Sequence, residues 1–243
     1  MKAMLLNSGT GKRLRPFTGN NPKCLTKINH DTILEHEIKN LLHYGIKDII
    51  ITTGFFDEKI KDLIKNKFPE ANVKYVKSDK PDTTNYIYSM WLAKDLTDDD
   101  ILLMHGDMVF ERVLLGKVLK SKHRSCVLVN NKMEAPEKDF KGKIMDGIVG
   151  EIGVNVFGKD AYFLAPVYKI SKNDFRLWME EIGKFIHRNE VLVYAENAFN
   201  NISDKLKLYP VYYQDEFCME IDNFEDLQTA RKFFKQQNST YVP

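Results

Sequence analysis

The stretch Leu6-Asn7-Ser8-Gly9-Thr10-Gly11-Lys12-Arg13-Leu14-Arg15-Pro16, with Pro22-Lys23-Cys24-Leu25 a few residues on, decides how the chain is read. It sets two glycines and several cations directly after the apolar run Ala3-Met4-Leu5-Leu6. Glycine has no Cβ, so backbone N–H groups can close on phosphate oxygens, and Arg and Lys add charge-assisted hydrogen bonds to the same oxygens. The composition is that of a triphosphate clamp.

Two other glycine loops are excluded by spacing. A dinucleotide fingerprint needs Gly-x-Gly-x-x-Gly opening a helix, but Leu14 holds the third glycine position and Pro16 follows where the helix would run. A Walker loop needs Gly-x-x-x-x-Gly-Lys-Ser/Thr, and Gly11-Lys12-Arg13 has neither the spacing nor the hydroxyl.

The pattern Gly9-x-Gly11-x-Arg13 with Pro22-Lys23-x-Leu25 resembles the signature of the nucleotidyltransferases that make NDP-sugars and CDP-alcohols, and the resemblance covers nearly the whole chain. Asn85-Tyr86-Ile87-Tyr88-Ser89, Gly106-Asp107, and Glu220-Ile221-Asp222 with Glu225-Asp226-Leu227 are most similar to the bacterial choline-phosphate cytidylyltransferases, and above all to the CTP:phosphoglutamine cytidylyltransferases of capsule phosphoramidate synthesis. The resemblance implies an α/β fold: a Rossmann-like mixed, mainly parallel sheet flanked by helices, of the nucleotide-diphospho-sugar transferase type, with a small antiparallel subdomain on the acceptor side. It implies magnesium-dependent transfer of CMP from CTP to a phosphorylated small acceptor, L-glutamine phosphate first, with release of pyrophosphate. Phosphocholine, or a sugar 1-phosphate served by UTP or dTTP, is the alternative.

The same resemblance distributes roles. Arg13 would grip the β- and γ-phosphates and Lys23 the α-phosphate or the incoming phosphate, as the two catalytic cations. Leu6, Asn7, Ser8, Gly9, Thr10, Gly11 and Lys12 would border the nucleotide with Thr84, Asn85 and Asp107, although Asn7-Ser8 stands where the family usually has Ala-Ala. Asp107 and Asp222 would hold magnesium, which favours oxygen ligands and commonly needs one or two carboxylates. Asp107 also suits a turn, Asp222 a helix N-cap with Glu225 completing a capping box, and Asn85 a helix cap. Tyr168, Lys169, Glu196 and Asn197 would meet the acceptor. Lys169 falls where the choline enzymes keep a tryptophan, so its ammonium would repel choline and attract an acceptor carboxylate; an ordinary exposed lysine is the other reading.

Chemistry needs no more than this. A phosphate monoester, with a second pKa of about 6, is already a dianion near neutral pH, so no general base is called for. Positioning and charge neutralisation remain as the work of the site. A glycosyltransferase of related fold would carry Asp-x-Asp after the fourth strand, and Val109 occupies the last position. A module that binds CTP without chemistry need not keep Arg13, Lys23, Asp107 and Asp222 together.

With 36 Lys and Arg against 34 Asp and Glu, the net charge of +2 lacks the excess expected of a nucleic-acid or anionic-membrane binder. Cys24, Cys126 and Cys218 show no zinc or disulfide spacing, which fits a reducing cytoplasm, and no segment reads as a signal or membrane span. A homodimer is left open. The chain reads as one domain, 1–243, with residues 1–125 mainly nucleotide-binding, 126–215 mainly acceptor-side, and 216–243 a closing strand and helix. Strands are expected at Lys2–Asn7, Asp48–Thr53, Val73–Val76 and Ile101–Met104. Helices are expected from an N-cap at Asp31 to Gly45, over Asp57–Phe68, Asn85–Lys94 and Ser171–Ile186, and over Asn223–Gln237. Between Cys126 and Tyr168 the glycine-punctuated alternation predicts antiparallel hairpins.

Overall fold

The computed structural model describes residues 1–240. Apolar runs of about six residues alternate with amphipathic stretches through the first half, giving β1 (Lys2–Asn7), α1 (Ile33–His43), β2 (Asp48–Thr53), α2 (Asp57–Lys67), β3 (Asn72–Lys77), α3 (Tyr86–Leu92) and β4 (Ile101–His105). The second half adds β5 (Met108–Phe110), α4 (Arg112–Lys120), β6 (Cys126–Asn130), β7 (Lys141–Met145), β8 (Ile148–Gly153), β9 (Ala161–Ile170), α5 (Lys172–His187), α6 (Ala195–Asn200), β10 (Tyr209–Tyr213), β11 (Cys218–Glu220) and α7 (Phe224–Thr240). Helix α1 is capped one residue later than expected. Thr32 Oγ1 accepts from the Glu35 amide while Glu35 accepts from the Thr32 amide, a capping box that Asp31 cannot complete.

The main sheet has the order β10-β6-β9-β4-β1-β2-β3, in which β9 alone runs against the other six strands. The antiparallel pairing expected over residues 126–168 is present and is built into this sheet. β9 is a nearly all-apolar run buried over most of its length, which demands a central place, and only the β7–β8 hairpin leaves the main path. Alternate residues of β1 face opposite cores. Met4 and Leu6 pack under α3, α5 and α6 with Ile87, Trp178 and Phe199; Ala3 and Leu5 pack under α1, α2 and α4 with Ile38, Ile60 and Leu115. No helix among the described residues is long and apolar enough to cross a membrane.

Two pairings build the functional end of this frame. Leu6 of β1 lies opposite His105 of β4, so Asn7-Ser8 and Gly106-Asp107 emerge side by side at the carboxyl edge of the sheet, where open α/β sheets place ligands. The short antiparallel ribbon of β5 and β11 sets Met108 against Glu220, and the Ile221 amide donates to Asp107 O at 2.9 Å. Residues 115 positions apart in sequence, Asp107 and Asp222, thereby share one wall.

Candidate active site

The loop after β1 is shaped by its glycine. Gly11 has φ 60, in the left-handed region, and a Cβ there would stand 3.0 Å from Lys23 Cβ and Thr18 Cγ2. Thr18 Oγ1 donates to Gly11 O at 2.7 Å and closes the turn. Two single 3₁₀ turns, Lys12–Leu14 and Lys23–Leu25, bury Leu14 and Cys24 and leave Arg13 and Lys23 facing a cavity of about 390 Å³.

Gly106 serves a second close approach. A Cβ at this position would fall 1.9 Å from Asn7 Oδ1 and 2.7 Å from Leu6 O. Gly106→Ala is therefore expected to force β1 and β4 apart at the cleft, at about 1–3 kcal/mol, read as a lower urea midpoint. An unchanged midpoint would contradict the crowding.

Charges meet on the far wall. Lys23 Nζ lies 2.5 Å from Asp107 Oδ2 and 2.8 Å from Asp222 Oδ1, and Arg13 Nη2 lies 2.8 Å from the same Asp222 oxygen. Burial disfavours the Lys23 ammonium, yet Asp107 and Asp222 outweigh it and hold its pKa above the ordinary lysine value. Burial likewise opposes charge on Asp222, and Lys23, Arg13 and Lys138 together hold its pKa below the usual carboxylate range. The helix-cap reading of Asp222 does not hold. Asp226 accepts from the Asp222 and Asn223 amides and Asn223 Oδ1 accepts from the Asp226 amide, so α7 is capped without the Asp222 side chain or Glu225.

The carboxylates suit a hard cation. Among the described residues His105, Asp107 and Glu220 offer ligand atoms within 4.8 Å of one another, as do Asp139, Glu220 and Asp222. Asp107 Oδ1, Asp139 Oδ1 and Glu220 Oε1 are buried without a hydrogen-bond partner. Burial, reinforced by repulsion from Asp107, pushes the Glu220 carboxyl up to about 8; burial raises that of Asp139 to about 6. Such a cluster is short of positive charge, and the residues fit a divalent ion.

Leu6, Asn7, Ser8, Gly9, Thr10, Gly11, Lys12, Thr84 and Asn85 all line the cavity with Arg13, Lys23, Asp107 and Asp222. Both polar atoms of the Asn7 amide are buried and unpartnered, while Ser8 Oγ is already bonded to Ser89 Oγ at 2.6 Å. Asn85 does cap α3, accepting from the Tyr86 amide at 2.8 Å.

The acceptor side differs from expectation. Lys169 is buried, donates to Ser121 O at 2.7 Å and does not line the cavity, because antiparallel β9 sets it beside Leu102 and Cys126, away from the carboxyl edge where His105 and Asp107 open the cleft. Asn197 caps α6 through the Tyr194 amide. Glu196 and Tyr168 lie beneath the cavity, with Tyr168 Oη donating to Glu196 Oε1 at 2.9 Å and Tyr86 Oη to Glu196 Oε2. The surface exposed to a ligand is instead aromatic: Tyr86, Phe140 and Tyr194, with His105 between Tyr86 and Phe140, and Lys138 and Glu220 nearby. None of these was legible as a binding residue except Glu220, which stands two residues before Asp222 in an extended segment and so shares its face.

A strand-borne glycine loop whose two cations meet paired acids in one cleft is the arrangement of an enzyme site. The chain belongs to the Nucleotidyl transferase family, which it matches over residues 2–140, and is a nucleotidyltransferase. It is 27% identical over 250 residues to a choline-phosphate cytidylyltransferase of Streptococcus pneumoniae, spanning 98% of this chain and 100% of that one. It is 23% identical over 239 residues to a CTP:phosphoglutamine cytidylyltransferase of Campylobacter jejuni, spanning 91% and 93%. A solved CTP:phosphocholine cytidylyltransferase from Streptococcus pneumoniae has the same fold, with a TM-score of 0.80 at 24% identity over 96% of this chain and 98% of the other.

Proposed function

We propose that the protein transfers CMP from CTP to a small phosphomonoester that carries an ammonium group. An oxygen of the acceptor phosphate attacks the α-phosphorus, the bond to the bridging oxygen breaks, and pyrophosphate leaves with that electron pair. Arg13 neutralises the departing phosphates and Lys23 the charge gathered around the α-phosphorus. Asp107 and Asp222 would hold magnesium with Glu220 within reach, and the ion would supply further neutralisation of the triphosphate.

The observation that carries the acceptor assignment is the aromatic wall of Tyr86, Phe140 and Tyr194 beside the Glu220 carboxyl. Aromatic faces attract ammonium groups by about 0.5–2 kcal/mol. The argument for an acceptor carboxylate rested on Lys169, which faces Ser121 instead. A choline-like head is thus favoured over glutamine phosphate. The test is pyrophosphate release with CTP and magnesium against phosphocholine, glutamine phosphate, phosphoethanolamine and glucose 1-phosphate. Phosphocholine is expected to give the highest kcat/KM; a preference for the sugar phosphate would overturn the assignment.

A further inference from the structure

Lys141, the first residue of β7, is 4% exposed and contributes nothing to the cavity lining. Its three N–H donors are each taken by a backbone carbonyl: Glu137 O at 2.8 Å, Asp139 O at 3.1 Å and Val154 O at 2.9 Å. The Phe157 ring lies 5.6 Å from the same Nζ. A buried ammonium held by neutral carbonyls is an unusual use of charge, since a buried lysine is ordinarily matched with a carboxylate.

The choice of carbonyls gives the reason. Residues 131–140 join β6 to β7 without a helix or strand of their own, and they carry Lys138 and Phe140 to the cleft. Glu137 and Asp139 flank Lys138, so fixing both carbonyls fixes the backbone on each side of it. Lys138 Nζ then reaches Asp226 and stands 3.7 Å from Asp222 Oδ2. The third carbonyl, Val154, belongs to a residue after β8 that also lines the cavity. One ammonium therefore ties two separate segments of the acceptor side to each other.

We propose that Lys141 is a positioning residue that clamps the 131–140 loop to the segment after β8 and so holds Lys138 and Phe140 against the acceptor. This rests on the CMP-transfer reading only for its kinetic arm. The intact enzyme is compared with Lys141→Met and with Lys141→Gln, whose amide keeps two of the three donors. Hydrogen exchange of residues 131–140 is expected to quicken about tenfold or more in Lys141→Met and less in Lys141→Gln, with β1 and β4 unchanged. With CTP and magnesium, the KM for phosphocholine should rise about tenfold while that for CTP stays within about twofold. In a Lys138→Ala background the added effect of Lys141→Met should fall to about threefold or less, because the two changes share one route.

Unchanged exchange at 131–140, an equal rise in both KM values, or full additivity with Lys138→Ala would each overturn the clamp. If Lys141→Met does not fold, Lys141→Gln decides by the same readouts. Absence of pyrophosphate release from the unaltered enzyme with every acceptor would instead refute the functional reading, and exchange would still decide the clamp.

Discussion

Lys23→Ala is expected to slow pyrophosphate release by about 10²–10³-fold or more, with a lower urea midpoint as well because two part-buried acids lose their shared partner. Loss of one preorganised donor at a charge-developing centre is worth that much, and Lys23 contacts both acids, at 2.5 Å from Asp107 and 2.8 Å from Asp222. The loop itself should still form, because Leu14 and Cys24 anchor it through their own burial. Lys23→Arg should fare little better. A planar guanidinium cannot take the place of a point charge in a slot where the lysine side chain is 14% exposed. The nucleotide-free protein gives a reading of opposite sign: with the ammonium gone, Asp107 and Asp222 are uncompensated, and Mn²⁺ should bind more tightly. A turnover within about threefold of the unaltered enzyme would remove Lys23 from the chemistry.

Legibility in the sequence followed how local each determinant is. The first half could be read because strand and helix periods alternate cleanly between Lys2 and His105, and the clamp because its glycines, prolines and cations are neighbours in the chain. Even the shift of the α1 cap from Asp31 to Thr32 was written locally, in Thr32-x-x-Glu35. Helix α4 was obscured by Gly116 in its interior, where a Cβ would stand 2.5 Å from Tyr44 Oη, so the residue answers to packing and not to helix propensity. The acceptor side was least legible. Its wall is assembled from α3, the 131–140 loop and the start of α6, and no motif joins Tyr86, Phe140 and Tyr194 before the sheet folds. Lys169 misled because the antiparallel register of β9, invisible in the sequence, carries it back opposite Leu102 and away from the carboxyl edge where the cleft lies.

Glu196→Ala is expected to lower stability by about 3–5 kcal/mol, the range for breaking a buried charged network by removing one partner. Glu196 is 1% exposed, and its two oxygens take the hydroxyls of Tyr86 and Tyr168, with His105 Nε2 at 3.7 Å. Alanine would leave both hydroxyls buried without an acceptor, at about 1–3 kcal/mol each. Glu196→Gln keeps the shape and one carbonyl oxygen, so its loss should be nearer 1–2 kcal/mol and the variant remains usable for kinetics. There the effect should appear on the acceptor alone. Tyr86 reaches the cavity with its ring while Glu196 holds its hydroxyl from below, so loosening that bond blurs one face of the acceptor wall and leaves the triphosphate loop untouched. The KM for the phosphorylated acceptor should rise with that for CTP unchanged, and Tyr86→Phe should add less in the Glu196→Gln background than alone, since both changes weaken the same bond. Full additivity of the two changes would mean that Glu196 acts on the acceptor by another route, and an equal rise for CTP would mean that the network supports the whole cleft instead of its acceptor side.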